Sequence, residues 1–133
     1  MAKRIEKLAL ACAKCTQALG EELGALDMQV SESKKAIIFF LELRLSYVEI
    51  VLTTKNSMMC PVGTLFARVF PQKNRPLSLH LYELMDEDDF RCCYFPYNHS
   101  PEQLQLSFAV LADLLRELLP RAEAMALDND LYE

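Results

Sequence analysis

The stretch AIIFFLELRLSYVEIVLTT, residues 36–54, decides the fold. It is rich in β-branched and aromatic residues, and its first half is apolar on both faces, as in a central strand. From Leu41 to Leu45, apolar and polar side chains alternate, which is typical of a strand with one buried face. Because the stretch is too long for one ordinary strand, it predicts two antiparallel strands with a tight turn near Arg44 to Tyr47.

Further strand signals lie on both sides of this hairpin. Residues 26–30 alternate and predict a short strand. Residues 61–70 place apolar side chains at helical steps behind a proline, which favours a short middle helix, although the same residues fit a strand. Residues 77–82 alternate and residues 90–97 are rich in aromatics, so the two segments predict a second hairpin around the acidic turn at residues 86–89.

Amphipathic helices are predicted at both ends of the chain. Apolar side chains recur at three- and four-residue steps within residues 3–23. The start of the last helix is marked by Ser100 as the N-cap, Pro101 in the first helical position and Gln103 as the capping-box partner. Pro120 is expected to stop or kink this helix.

The apolar stripe of the last helix is broader than one helix side usually buries. Four of its members are predicted to form core or dimer contacts: Phe108, Leu111, Leu115 and Leu118. Together the elements predict an α+β fold, with an antiparallel sheet of about five strands flanked by an N-terminal and a C-terminal amphipathic helix and a possible short middle helix. Residues 1–126 are expected to form a single domain, and residues 127–133 an acidic C-terminal tail.

Composition excludes several classes of function. The chain has 133 residues, of which 52% are hydrophobic, and a formal net charge of −5. An acidic protein repels phosphate backbones and anionic lipid surfaces, so neither a nucleic acid nor a membrane is expected as a partner. A charged N-terminus without a following long apolar stretch predicts a cytoplasmic protein.

The cysteines and histidines give weak signals for chemistry. Cys12 and Cys15 have metal-ligand spacing, and Cys92 and Cys93 could complete a zinc site. However, Cys12 and Cys15 fall on the apolar stripe of the first helix, where cysteine behaves as a small hydrophobe. No metal and no cofactor are therefore predicted. An enzyme using Cys60 with His80 or His99 is the third hypothesis, because nothing in the sequence brings a thiol beside an imidazole.

Aromatic residues crowd the predicted strands, and one sheet with two helices leaves more apolar surface than a monomer readily covers. The first hypothesis is therefore a non-enzymatic protein-binding module, chaperone-like or regulatory, with a protein partner or a second copy in a homodimer. Tyr94 and Tyr97 are predicted to face the partner. The alternative is a small-ligand binding or sensing domain whose pocket, between sheet and helices, is lined by His80, Tyr82 and Tyr94.

The element order supports a resemblance to a known fold. The local match is DDFRCCY at residues 88–94, followed by SPEQL at residues 100–104. Together with the chain's size and acidity, this order of helix, three strands, middle element, hairpin and terminal helix resembles the secretion-chaperone-like fold. Type III secretion chaperones and the YbjN family share that fold. The resemblance implies a small acidic protein, often dimeric, that ends in an amphipathic helix.

Overall fold

The structure, a computed structural model, describes residues 2–57, 60–71, 78–84, 95, 98 and 100–131. The helices are α1 (Ala2–Leu23) and α2 (Pro101–Leu131). The strands are β1 (Asp27–Glu32), β2 (Ala36–Glu42), β3 (Tyr47–Thr53), β4 (Leu65–Phe70) and β5 (Leu79–His80). A short 3-10 turn, Leu81–Leu84, follows β5. All strand pairings are antiparallel, and the sheet order is β1-β2-β3-β4-β5. The predicted α+β class, with a five-stranded antiparallel sheet and a helix at each end, is confirmed.

The hairpin predicted from residues 36–54 is present. The Leu43 amide donates a hydrogen bond of 2.9 Å to the carbonyl of Ser46, which closes a two-residue loop between β2 and β3. An equivalent bond of 2.9 Å from the Ser33 amide to the carbonyl of Ala36 closes the loop between β1 and β2. Both loops are short enough to fix the register of their strands.

The middle helix favoured for residues 61–70 is wrong, because residues 65–70 form the strand β4. Leu65, Ala67 and Val69 are buried in the core, and the residues between them lie on the other side of the sheet. Both faces of this central strand are rich in apolar residues, so its pattern also fits helical steps. Pairing with β3 decides between the two conformations. If the middle element is taken as a helix, the order of elements that resembles the secretion-chaperone-like fold therefore differs from the structure at this one element.

The second hairpin differs from the prediction where the structure describes it. The strand ends at His80, and Leu81 enters the 3-10 turn with its side chain fully buried. Phe95 pairs with Leu65 of β4, with backbone hydrogen bonds of 3.1 and 2.9 Å, and lies along the same edge as β5. The acidic turn at residues 86–89 lies outside the described residues.

Helix α2 begins as predicted, since the Gln103 amide donates 3.3 Å to the hydroxyl of Ser100. It continues through Pro120 to Leu131, so residues 127–131 belong to the helix. Beyond the proline, Ala122 is fully buried, and the Ser46 hydroxyl donates 3.0 Å to Glu123 Oε1. These contacts hold the later turns of α2 against the β2–β3 loop and offset the cost of the proline.

Both helices pack on one face of the sheet, which we call the inner face. The core joins side chains of α1, α2 and the 3-10 turn to alternate residues of the strands, among them Phe39, Ile50 and Val69. Neither helix, within the part of the chain that the structure describes, has the length and apolarity needed to cross a bilayer.

Candidate binding surface

The opposite side of the sheet, the outer face, consists of three rows that run from β1 towards β5. The strand registers place these side chains in the rows: Asp27, Glu42, Tyr47, Phe70; Gln29, Phe40, Glu49, Arg68, His80; Ser31, Ile38, Val51, Phe66. The β1 end of each row is polar, whereas the middle and the β4 end are mostly aromatic or aliphatic.

Aromatic rings form the most prominent part of the outer face. The ring centroid of Phe40 lies 5.2 Å from that of Tyr47 and 5.3 Å from that of Phe70, and both pairs are tilted. Phe66 lies 6.3 Å from the ring of His80. These rings are half-buried. Tilted ring pairs at such distances are favourable and rigid, so the strands present a preformed aromatic surface.

An ion pair lies at the centre of the outer face. Arg68 Nε donates 2.7 Å to Glu49 Oε1, and its Nη2 bonds to the same oxygen. The Glu49 side chain is 9% exposed, and that of Arg68 is 34% exposed. Glu49 is therefore a carboxylate embedded among apolar neighbours, and it depends on Arg68 for compensation of its charge.

A small pocket opens at the polar end of the outer face. It has a volume of about 160 Å³ and is lined by Asp27, Gln29, Phe40, Glu42 and Tyr47. Asp27 and Glu42 lie directly opposite each other across the β1–β2 ladder, so two carboxylates share one side of the pocket. Phe40 and Tyr47 add two aromatic rings to the lining. Carboxylates and aromatic faces together favour a cationic group.

Strand β1 forms one edge of the sheet and pairs only with β2 among the described strands. Backbone groups of antiparallel strands point alternately towards and away from the neighbouring strand. At the loop, the backbone amide of Ser33 bonds to the carbonyl of Ala36. By the same alternation, the backbone groups of Asp27, Gln29 and Ser31 point towards β2. The amide and carbonyl groups of Met28, Val30 and Glu32 therefore face outward.

The side chains proposed from the sequence occupy different places. His80 lies on the outer face opposite Arg68 and makes further contacts. Tyr82 belongs to the 3-10 turn, and its side chain lies outside what the structure describes, as do Tyr94 and Tyr97. The four α2 residues Phe108, Leu111, Leu115 and Leu118 are buried in the core of the single chain.

The expected ligand pocket between sheet and helices is not formed by His80, which faces away from the helices. A second pocket, of about 190 Å³, lies between the two helices instead. Its lining includes Cys15, Ala18, Glu22, Gln105 and Ala109. Most of its lining is apolar, and the Glu22 carboxylate already accepts a hydrogen bond of 2.8 Å from Arg116 Nη1.

The cysteine pair of α1 is held in the protonated state. Cys12 is fully buried, and this burial raises the pKa of its thiol to about 12. Burial also raises the pKa of the Cys15 thiol. Metal ligands and nucleophiles are thiolates, so both shifts oppose such roles. Among the described residues, no three His, Cys, Asp or Glu side chains are grouped to hold a metal ion.

Alkylation tests this view of the cysteines. In the native protein at mildly alkaline pH, we expect iodoacetamide to modify Cys12 at least about tenfold more slowly than Cys60, because only a thiolate reacts. Cys60 is half-buried in the loop before β4. Peptide mass spectrometry measures both rates, and denaturant should make them converge. Equal native rates would contradict the burial of Cys12.

Sequence reasoning missed the two features that define this surface. Glu49 interrupts an otherwise apolar strand, and a lone carboxylate in such a run signals a buried partner. The partner's identity, Arg68, depends on the register of β3 and β4. The pocket also depends on register, because Asp27 and Glu42 are far apart in the sequence.

Comparison of the chain with known protein families, with curated proteins and with solved structures found no match. In the residues that the structure describes, the protein is an α+β domain with a meander sheet, with both helices on the inner face, aromatic residues on the outer face and β1 at one edge.

Proposed function

We propose that this chain is a non-enzymatic protein-binding module that takes its partner on the outer face of the sheet. The observation that supports this function is the row of half-buried aromatic rings on the side away from both helices. Neither helix covers this face, and a sheet face without a packed layer is usually polar. An aromatic one favours contact with another protein.

The arrangement of charge supports the same function. The Glu49–Arg68 pair lies among the rings and neutralises itself, so a partner can cover it without leaving a single buried charge. The chaperone-like character implied by the resemblance, a homodimeric state and a cytoplasmic location belong to this proposal. The formal net charge of −5 argues against nucleic acid in the same place.

Photo-cross-linking in cells tests the proposed surface. The variant Phe70→p-benzoylphenylalanine keeps an aromatic ring at the outer face and makes it reactive. The matched control is Leu106→p-benzoylphenylalanine, since Leu106 is 71% exposed on the outer side of α2. We expect a discrete protein product at position 70 that is missing at position 106. A product of twice the chain's mass would identify a second copy as the partner.

Once the cross-linked partner is identified and purified, its affinity for the variants shows how much Phe70 contributes to binding. We expect Phe70→Ser to weaken binding at least about tenfold, because aromatic residues at the centre of an interface contribute most of its free energy. Leu106→Ser should leave binding unchanged, and circular dichroism checks that both variants fold. If position 70 gives no protein product, or the same products as position 106, the proposed function is wrong.

A further inference from the structure

The outer edge of β1 is suited to the addition of another strand. Its register with β2 is continuous over Asp27–Glu32 and contains no bulge. The strand has neither a lysine nor a proline, two residue types that proteins place on edges to prevent pairing. The outward amide and carbonyl groups of Met28, Val30 and Glu32 therefore form a row that no described strand covers.

The two sides of this edge have different chemistry. On the inner side, Val30 is 54% exposed, so apolar surface continues beyond the helices. On the outer side, Asp27 and Gln29 border the pocket that Phe40 and Tyr47 line. Successive residues of an added strand point to opposite faces. One set would contact apolar side chains, and the other set would reach the carboxylates and rings.

Charge decides between a partner and a second copy of β1. Asp27 and Glu32 stand at the two ends of the strand, and Glu42 lies opposite Asp27. A second copy of β1 would bring the same acidic residues to this edge and no positive charge to balance them, in a chain whose net charge is already −5. A lysine or arginine side chain instead complements Asp27, which lines the pocket together with both rings.

We infer that β1 binds an extended segment of a partner protein in which apolar residues alternate with lysine or arginine. The segment adds to the sheet as a sixth strand next to β1, and its backbone bonds to the outward groups of Met28, Val30 and Glu32. A basic side chain enters the pocket beside Asp27, while apolar side chains cover Val30. This inference rests on the proposed function and names the chemistry of the partner.

Fluorescence anisotropy with synthetic peptides tests the inference. The probe is a fluorescein-labelled octapeptide of alternating lysine and valine. Two control peptides contain the same residues in separate blocks, or glutamate in place of lysine. We expect the alternating basic peptide to bind and both controls to bind at least about tenfold more weakly, because only the first combines strand pairing with complementary charge.

Protein variants separate the contribution of strand pairing from that of charge. Val30→Pro removes an outward amide and leaves the β1–β2 ladder intact, since proline is tolerated at edges whose amide faces solvent. We expect it to weaken peptide binding at least about tenfold. Asp27→Lys should have a similar effect through charge. The control Glu21→Lys makes the same change of net charge on the exposed side of α1 and should bind normally.

Three results would overturn the inference: equal binding of the block peptide, normal binding by Val30→Pro and Asp27→Lys, or a dimer in sedimentation that Val30→Pro dissociates. The last result would assign the edge to a second copy. Val30 lies on the free edge and Phe70 lies on β4, so the failure of this inference is distinguishable from the failure of the proposed function.

Discussion

Replacing Gly63 by alanine is expected to lower the free energy of unfolding by about 3 kcal/mol, the largest effect of any substitution considered. Gly63 has a φ of 85°, a backbone conformation that residues with a side chain rarely adopt. A Cβ atom there would lie 2.6 Å from the carbonyl oxygen of Asn98. This oxygen belongs to the backbone, so it cannot move away as a flexible side chain would.

Asn98 also connects the loop before β4 to α2. The Asn98 side chain is buried, and its Nδ2 donates 2.9 Å to the carbonyl of Gly63. Its Oδ1 accepts 2.7 Å from the Ser107 hydroxyl. A shift that relieves the contact at Gly63 therefore weakens two hydrogen bonds of a buried amide, and unsatisfied buried groups are costly.

Gly24→Ala is the matched control for this prediction. Gly24 has a φ of 72°, similar to that of Gly63, but nothing lies within 4 Å of an added Cβ. The Gly24→Ala variant should lose about 1 kcal/mol of unfolding free energy, because only the backbone conformation is unfavourable. Urea denaturation of both variants measures the difference. If the two variants lose the same free energy of unfolding, the contact with Asn98 does not contribute to the effect.

Removing Arg68 is the second large effect. We expect Arg68→Met to cost about 2 kcal/mol, because it leaves the Glu49 carboxylate buried without a counter-charge. The figure is at the low end for buried pairs, since Arg68 is partly exposed and solvent screens its charge. The methionine keeps most of the apolar stem that packs on the sheet.

The double variant Glu49→Leu with Arg68→Met distinguishes charge from packing. We expect it to recover most of the lost stability, because an apolar pair of similar volume needs no compensation. Thermal and urea unfolding of the single and double variants form the measurement. A double variant less stable than Arg68→Met would show that the carboxylate stabilises the sheet through contacts other than this ion pair.

Local patterns in the sequence predicted much of the fold. Ser100 marks the start of α2 because a side-chain cap is a local interaction. The turn between β2 and β3 follows from the length of residues 36–54. The pattern of residues 61–70 fits both a helix and a strand, and the edge offered by β3 decides the outcome. Leu81 is buried, as its alternation with Leu79 predicts, but it lies in a 3-10 turn and not in a strand.

The binding surface was less accessible to prediction, because it depends on which strands are neighbours. Nothing in residues 27–32 says that β1 lies at an edge, or that Asp27 faces Glu42. Hypotheses based on the tyrosines were drawn from composition alone. Tyr94 and Tyr97 stay predictions, while the aromatic residues that the structure places together are Phe40, Tyr47 and Phe70.

The meander order of the sheet also bears on how the protein is made. Each strand pairs with the next along the chain, so β1 to β4 close only short loops and can assemble early. The inner face, however, is completed by α2, whose first residue is Pro101. At a synthesis rate of roughly 5–20 residues per second, several seconds separate emergence of β4 from that of α2. During that interval α1 is the only one of the two helices that can shield the apolar inner face on the ribosome.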